Sequence, residues 1–331
     1  MIAWVDKHRP VDFDGVVGND GAVRIVANLA RQRSTPNLLI CGPPGCGKTM
    51  CADLLCGQII TPRDHDSRVL RLSSFDERGV GVVRTAIKSF AVSRVATEND
   101  SRIAKLVVLD EADSMSSGAF QALRNVMDAF SDTTRFLIVC NDSTKIIEPI
   151  QSRCAILRFA KVEESRVCQR ISRICDSEKV PYTAEGVKAL ARAADGDVRS
   201  AINSLHSTVS AFGRVTAENV YRTCGHCPQP VEIARIVVLL RDKNSKERSS
   251  FAQAARALKV VCDKGYSPPD IVQVFFRVCC VDDGSLADVG DAERIALAKV
   301  IGLAQARVLA GVSSYLQLAA MCDGIAKVFG V

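Results

Sequence analysis

The sequence lacks an apolar run long enough to cross a bilayer, so we expect no membrane-spanning helix and no membrane partner. The N-terminus, MIAWVDKHRP, lacks the apolar stretch of a signal peptide. Internal repeats and low-complexity tracts are absent, which argues against a repeat architecture. The chain also lacks a large net charge of either sign. The net charge of +6 permits a nucleic-acid partner without requiring one, so any contact with a polyanion must come from a local arrangement of cations.

Fourteen cysteines are present, but they lack the pattern of a disulfide framework or a zinc site. Cys41, Cys140 and Cys154 lie inside apolar runs, which is typical of small buried hydrophobes in a reducing compartment. Cys224 and Cys227 form a single C-x-x-C in which only His226 could add a ligand. Because a structural zinc ion takes four ligands, we expect no metal at this pair.

The length of 331 residues predicts two or three domains, and the 47% of hydrophobic residues predict a folded chain. In the first half, short apolar runs alternate with helical patterns. Strands with both faces buried in a parallel sheet show such continuous apolar runs. The candidate strands are Leu38–Cys41, Val69–Leu72, Leu106–Leu109, Phe136–Cys140 and Ala155–Phe159, and the helical patterns between them include Thr49–Ile59, Val82–Val92 and Gly118–Phe130. The alternation predicts a three-layer α/β domain over residues 1–160.

Beyond residue 160 the strand signal fades, and apolar residues recur at helical spacing. The helical stretches are Glu163–Ser177, Thr183–Ala194 and Val198–Phe212. They predict a small helical domain over 161–223. Glycine and prolines mark Cys224–Pro230 as a linker at the start of a second helical domain, 224–331.

A phosphate-binding loop is predicted between the first candidate strand and the helix that follows. Residues 42–49 read GPPGCGKT and match the pattern G-x-x-x-x-G-K-[ST] in the strand–loop–helix context that confirms it. The residues expected to cradle the nucleotide are Gly42, Pro43, Pro44, Gly45, Cys46, Gly47, Lys48, Thr49 and Met50. Lys48 should reach the β- and γ-phosphates, and the hydroxyl of Thr49 should bind Mg²⁺. The sequence therefore predicts ATP and Mg²⁺ as ligands.

The second half of this site is predicted from LVVLDEAD at residues 106–113. A buried strand delivers Asp110 to the carboxyl edge of the sheet, where it should hold Mg²⁺ through its water shell. Glu111 is the candidate general base for the attacking water. The letters DEAD do not indicate a helicase of that type, because such enzymes need two similar sheet domains and the second half here is helical.

At this point the sequence resembles a known family, the small subunits of replication factor C, the eukaryotic clamp loader. The motifs that carry the resemblance are WVDKHRP at 4–10, VVGND at 16–20, RLSSFDERGVGVVR at 71–84, LDEADSM at 109–115, RFLIVCN at 135–141, KIIEPIQSRCAILRF at 145–159, GDVRSAIN at 196–203 and IGLAQARVLAGVSSYLQLA at 301–319. The last motif is most similar to human subunit 2 and yeast subunit 4. The likeness spans nearly the whole chain. It implies an AAA+ P-loop core, a helical lid and a helical collar.

The resemblance also implies a function. Such a subunit is an ATPase that is active in a hetero-pentamer with other clamp-loader subunits. The pentamer opens a ring-shaped sliding clamp and loads it onto primer–template DNA in replication and repair, in the nucleus. Two alternatives stay open: an assembly module that binds ATP without hydrolysing it, and another AAA+ DNA-processing ATPase such as a branch-migration motor.

Further site residues are implied by the resemblance alone. Val5 and Val17 should line the adenine pocket, Asn141 takes the place of sensor 1, and Arg199 takes the place of sensor 2. Arg153 takes the place of the arginine finger and would act in trans on ATP held by the neighbouring subunit. Without the family, Arg153 would be interpreted as a surface salt bridge.

DNA contacts are implied at the helix that follows residue 81. Arg84 and Lys88 are four residues apart and share one face of it, and Arg78 precedes it. Ser116 and Ser117 are candidate N-caps for the next predicted helix. Contacts from helix ends and cations to phosphates fix position without reading sequence, so the predicted binding is salt-dependent and specific for structure. An ordinary solvated helix face is the alternative.

Overall fold

A computed structural model of the chain describes residues 3–61, 63–72, 81, 83–93, 105–223, 228–241, 247–280 and 289–330. The predicted C-x-x-C at 224–227 lies outside them. Within these residues the fold divides into two compact units, 1–215 and 216–331. The first holds both the predicted core and most of the predicted lid, and the boundary between those two domains stays a prediction. No helix among the described residues is long and apolar enough to cross a membrane.

In the described part of the first unit, five strands form one parallel sheet, as the sequence predicts. The strands are β1 (Leu38–Cys41), β2 (Val69–Leu72), β3 (Lys105–Leu109), β4 (Thr134–Cys140) and β5 (Ala155–Arg158), in the order β2-β3-β4-β1-β5. All residues of β1 and β3 are buried, which explains the continuous apolar sequences Leu38–Cys41 and Leu106–Leu109. Because all pairings are parallel, the carboxyl ends of the strands meet at one edge of the sheet.

Helices cover the sheet and continue beyond it in the first unit. They are α1 (Trp4–Lys7), α2 (Asp20–Arg31), α3 (Lys48–Ile59), α4 (His65–Arg68), α5 (Lys88–Val92), α6 (Ser117–Ala129), α7 (Glu148–Gln151), α8 (Glu164–Ser177), α9 (Ala184–Ala194) and α10 (Val198–Phe212). On one face, Phe120 and Leu123 of α6 pack in a buried cluster with Leu39, Val107 and Phe136 of the sheet. This packing holds α6 across the strands that end at the predicted site.

One predicted helix differs from the structure. The sequence predicts a continuous helix over Val82–Val92, whereas the structure has a π-helical turn, Val83–Ile87, followed by α5. Ile87, the last residue of this turn, is fully buried, and single π-helical turns of this kind occur within α-helices. Small changes also occur at strand ends, since β5 ends at Arg158 rather than Phe159.

The second unit is helical throughout its described residues, as predicted. Its helices are α11 (Ala217–Thr223), α12 (Pro230–Arg241), α13 (Glu247–Asp263), α14 (Pro268–Cys280), α15 (Asp291–Leu309) and α16 (Tyr315–Val328). A single buried cluster joins α12 to α16 and contains Leu258, Phe275, Ile301 and Ile325. The short helix α11 belongs to this unit, whereas the sequence assigned it to the end of the lid.

Candidate active site

The loop 42–47 joins β1 to α3 and depends on three glycines with positive φ. The angles are +151° at Gly42, +66° at Gly45 and +93° at Gly47, a region that side chains disfavour. A β-carbon on Gly42 would lie 2.2 Å from the carbonyl oxygen of Phe159, and one on Gly45 would lie 1.7 Å from Oδ1 of Asp197. The glycines are therefore required both by the turn and by its close neighbours.

Lys48 is the first residue of α3 and is 7% exposed. Its ammonium donates hydrogen bonds to the carbonyl oxygens of Gly42 (2.8 Å) and Pro43 (2.7 Å) and to Oδ1 of Asn141 (2.9 Å). Asn141 follows β4 directly, so the neighbour of β1 in the sheet brings it to the lysine. The predicted cradle lysine and the predicted sensor residue are thus in direct contact.

Cys46 lies inside the loop as a neutral thiol. It is 2% exposed, and Sγ donates to the carbonyl oxygen of Pro43 at 2.9 Å. Burial raises the pKa of this thiol. A neutral thiol at this position adds no negative charge beside Lys48, which keeps the loop suited to an anion.

The side-chain oxygens of Thr49 and Asp110 meet at the carboxyl end of β3. The hydroxyl of Thr49 donates to Oδ1 of Asp110 at 3.3 Å, and the same carboxylate oxygen accepts from the backbone N–H of Glu111 at 2.9 Å. Glu111 has a left-handed backbone, with φ of +51°, and is exposed at the mouth of the site. A hydroxyl and a carboxylate are oxygen donors of the kind that Mg²⁺ prefers, so Thr49 and Asp110 fit the predicted ion.

These residues line one cavity of about 450 Å³ within the first unit. The predicted site residues that line it are Val5, Val17, Pro44, Gly45, Cys46, Gly47, Lys48, Thr49, Met50, Asp110, Glu111, Asn141 and Arg199. Gly42 and Pro43 do not line the cavity, but their carbonyl oxygens accept hydrogen bonds from Lys48. A volume of this size matches that of ordinary small-ligand pockets.

The N-terminal segment forms one wall of the cavity because it is held to later helices. The Trp4 ring stacks on His206 of α10 with centroids 4.9 Å apart. Lys7 and His8 both contact Glu178, at 2.8 Å and 2.6 Å, directly after α8. Hydrogen bonds from these two side chains lower the pKa of Glu178. Val5, between the anchored residues, is thereby fixed at the cavity.

Sequence reasoning missed several charged residues that line the cavity, among them Arg9, Asp53 and Arg170. Arg9 and Asp53 form an ion pair, and Asp53 lies one turn after Thr49 on α3. Arg170 of α8 donates to the carbonyl oxygen of His8, and burial lowers its pKa. Asp53 and Arg170 are single charges on helices and belong to no motif, and Arg9 lies in WVDKHRP without an assigned role, so only the tertiary contacts bring these residues to the site.

Arg199 reaches the cavity from the first turn of α10. Asp197 caps this helix by accepting from the N–H of Ser200 at 2.8 Å, and the N–H of Val198 donates to the carbonyl oxygen of Gly45 at 3.2 Å. The start of α10 is therefore docked on the phosphate loop itself. Arg199 is exposed beside this contact.

Arg153 does not line the cavity. It lies between α7 and β5, at the amino end of a strand whose carboxyl end is nearest the loop. Asn37, directly before β1, donates from Nδ2 to the carbonyl oxygen of Arg153 at 3.4 Å. The four residues of β1 then separate Asn37 from Gly42, a distance of roughly 15 Å at ~3.3 Å per residue. Arg153 is thus placed at the opposite edge of the sheet from the chain's own site.

The predicted DNA-contacting residues are only partly described. Arg78 lies outside the described residues, and for Arg84 only its backbone in the π-helical turn is described. Lys88 is exposed at the start of α5. Ser116 caps α6, as predicted, by accepting from the N–H of Ala119 at 3.3 Å.

Two family models match the chain. The model for the ATPase family associated with various cellular activities (AAA) matches residues 38–162, which include the loop, Asp110 and Arg153. The model for the replication factor C C-terminal domain matches residues 228–322, within the second unit.

Relatives resemble the chain over nearly its whole length. Replication factor C subunit 4 of Oryza sativa is 42% identical over 99% of this chain and 93% of its own length. Subunit 4 of Schizosaccharomyces pombe is 40% identical over 98% and 91%. The replication factor C small subunit of Natronomonas pharaonis is 36% identical over 98% and 95%.

Solved structures support the fold alone. The Thermotoga maritima RuvB Holliday junction branch migration motor superimposes with a TM-score of 0.53, at 16% identity, over 85% of this chain and 88% of that one. The similarity is too low to carry function.

Proposed function

This chain belongs to the replication factor C small subunits, the ATPase subunits of a clamp loader, and we propose that it hydrolyses ATP at a site completed by a neighbouring subunit. The observation that carries the proposal is the separation within the first unit. The loop, Asp110 and Glu111 line one cavity, whereas Arg153 lies at the opposite edge of the sheet. A residue so placed can reach only a nucleotide held by another protein.

In this proposal the triphosphate lies along the loop. Backbone N–H groups of the loop and the first turn of α3 face the phosphates, and Lys48 supplies the charge. Lys48 is bonded to two carbonyl oxygens and an amide oxygen, none of which carries a full negative charge. Phosphate oxygens are stronger acceptors, because hydrogen bonds between ionised partners are about twice as strong as neutral ones.

Thr49 and Asp110 would hold Mg²⁺, which when bound neutralises charge on the phosphates. Glu111, which follows Asp110 at the mouth of the cavity, takes the proton of the attacking water as general base. Asn141 orients the water or the γ-phosphate from the end of β4. Arg199 reaches the nucleotide from α10, whose first turn is bonded to Gly45.

Arg153 would stabilise charge that develops on the phosphoryl group bound by its neighbour. A guanidinium is suited to this because its planar fork matches phosphate oxygens. Such arginine fingers accelerate hydrolysis by about 10³–10⁵-fold, or roughly 4–7 kcal/mol of barrier. The chain's own site would need the equivalent arginine from the subunit on its other side.

The proposed cellular role is loading a ring-shaped sliding clamp onto primer–template DNA in the nucleus, within a hetero-pentamer. The names of the relatives support it, since they are replication factor C subunits, several of them eukaryotic. DNA contact is assigned to Arg78, Arg84 and Lys88 and to the capped start of α6. Because these are phosphate contacts, binding should weaken steeply with salt.

The test reconstitutes the complex with its partner subunits and measures ATP binding and hydrolysis separately. Arg153→Ala should leave ATP binding by this chain intact and slow hydrolysis in the complex. Glu111→Gln should keep binding but remove the hydrolysis of this chain's own site. Normal hydrolysis with Glu111→Gln would support the alternative of an assembly module that uses ATP only for structure. An Arg153→Ala effect confined to the isolated chain would refute the shared site.

A further inference from the structure

The guanidinium of Arg153 donates three hydrogen bonds to two partners in the described structure. Nε donates to Oδ1 of Asp128 at 2.7 Å and Nη2 donates to Oδ2 at 3.1 Å, a two-point contact with one carboxylate. Nη1 donates to the carbonyl oxygen of Pro149 at 2.7 Å. Two parallel bonds to one carboxylate fix the plane of the guanidinium as well as its position.

The backbone of Arg153 is fixed by the sheet. Asn37 donates to its carbonyl oxygen and accepts from the N–H of Phe136 at 3.0 Å, which ties the residue to the starts of β1 and β4. The N–H of Ala155 donates to the carbonyl oxygen of Asn37 at 2.8 Å. With the backbone held this way, the remaining freedom is in the side chain, and Asp128 restricts it.

Asp128 lies on a helix that packs against the sheet. It is in the last turn of α6, one residue after the buried Met127, and α6 packs on the sheet through its apolar face. Arg124, one turn earlier on α6, has its Nε 3.9 Å from Oδ2 of Asp128 and is a second positive charge beside this carboxylate. The position of the Asp128 carboxylate relative to Arg153 is therefore set by the packing of α6 on the sheet.

We propose that Asp128 is a positioning residue that aims Arg153 at the nucleotide of the neighbouring subunit. This rests on the proposed function, in which Arg153 acts in trans. Asp128 itself would not touch the nucleotide. An arginine without this contact would sample many side-chain conformations, and few of them would point toward the partner's phosphates.

An inhibitory role of Asp128 would predict a change in hydrolysis rate of the opposite sign. If Asp128 instead sequestered Arg153 and competed with the phosphates, removing the carboxylate would free the arginine and raise the rate. The sign of the change in hydrolysis therefore separates the two roles.

The experiment uses the reconstituted complex with ATP and primed DNA, and it measures kcat, KM for ATP and the thermal stability of each variant. Asp128→Asn keeps the size of the side chain but removes its charge. The hydrolysis that Arg153→Ala removes defines the component that depends on the finger. We expect Asp128→Asn to lower that component by about tenfold, because small misplacements of a catalytic group have large effects on rate. KM and thermal stability should change little.

Two variants complete the design. Asp132→Asn is the matched control, an exposed aspartate just beyond the end of α6 that has no hydrogen bond or ion pair among the described residues, and it should behave as the unaltered chain. Asp128→Glu keeps the charge and should restore part of the rate. In an Arg153→Ala background, Asp128→Asn should cause no further loss, since both changes remove the same contribution.

The proposal is overturned if Asp128→Asn leaves kcat unchanged or raises it while Arg153→Ala still lowers it. A further loss in the Arg153→Ala background would also overturn it, because Asp128 would then act through another group. If Arg153→Ala itself had no effect on kcat, the proposed trans function would fail first, and the two failures are therefore distinguishable.

Discussion

Lys48 and Asn141 are joined by a hydrogen bond of 2.9 Å from Nζ to Oδ1. The bond connects the start of α3 to the end of β4, so the charge that would meet the phosphates lies next to the amide that would orient the water. The ammonium is nearly buried, and its three acceptors are neutral. A buried cation with neutral acceptors favours the binding of an anion, because it is already partly desolvated.

The first prediction follows from this contact. Lys48→Ala should weaken ATP binding by at least about 100-fold, since hydrogen bonds to charged groups contribute ~1.5–3 kcal/mol each. Titration calorimetry with ATP on the isolated chain measures the loss. Lys188→Ala, an exposed lysine on α9, is the control and should bind normally. Retained affinity in a folded Lys48→Ala variant would contradict the assignment of the loop.

The second prediction concerns the contact between the loop and α10. Gly45→Ala should disrupt nucleotide binding, because its β-carbon would collide with Asp197 at 1.7 Å and its φ is +66°. Gly57→Ala is the matched control within α3, where a β-carbon would meet nothing within 4 Å. That control should raise the free energy of unfolding by ~0.5–1 kcal/mol, the usual gain of alanine over glycine in a helix.

Thermal denaturation with and without ATP measures both glycine variants. Ligand binding raises the melting temperature of a protein that binds it in the folded state. Gly57→Ala should melt higher and keep its response to ATP, whereas Gly45→Ala should lose that response. A normal response in Gly45→Ala would mean that the loop and Asp197 can move apart at no cost.

The sheet was predictable because its central strands β1, β3 and β4 are almost entirely buried, which gives continuous apolar runs. Each continuous apolar run became a strand, with ends that differ by two residues or fewer, as for β4, which begins at Thr134 rather than Phe136. The loop was predictable because its glycines and Lys48 follow a fixed pattern between strand and helix. The π-helical turn at Val83–Ile87 was not, since no simple apolar period distinguishes it from an α-helix.

The contacts that form the side walls of the cavity could not be predicted from the sequence. Glu178 contacts Lys7 and His8 across a separation of about half the chain, and Arg170 reaches the carbonyl oxygen of His8 in the same way. Such pairs leave no periodic signal, because only the assembled fold brings them together. The buried Lys105 is a similar case, since a lysine at the start of a strand is usually expected to be exposed.

The third prediction tests this buried lysine. Lys105 is 2% exposed, and its ammonium caps the end of α5 by donating to the carbonyl oxygens of Phe90 (2.5 Å), Ala91 (3.0 Å) and Ser93. Lys105→Met keeps the length of the side chain but leaves these carbonyls without their donor. Unsatisfied buried groups of this kind cost about 1–3 kcal/mol, so the free energy of unfolding should fall by that amount.

Chemical denaturation measures the change, with Lys188→Met as the control for the loss of an exposed lysine. Lys105→Met also tests DNA binding, because the helix that Lys105 caps, α5, contains Lys88. A loss of the capping interaction should loosen α5 and reduce the affinity of the assembled complex for primed DNA. Equal stability of Lys105→Met and the unaltered chain would show that other donors or water replace the ammonium.

The fourth prediction concerns the pH dependence of the contact between Asp128 and Arg153. The hydrogen bonds from Arg153 favour the charged carboxylate and lower the pKa of Asp128 from 3.8. The contribution of this pair to stability is therefore fully present above pH 3.8, the value in the unfolded chain, and is lost as the pH falls through the lower value of the folded chain. The guanidinium stays charged throughout, so only the carboxylate titrates. A carbon-13 NMR titration of the Asp128 carboxyl group should give a midpoint below 3.8, and Arg153→Ala should move it back toward that value. If the midpoint of Asp128 is the same in the Arg153→Ala variant as in the unaltered chain, the two side chains are apart in solution. Asp128 could not then position the arginine.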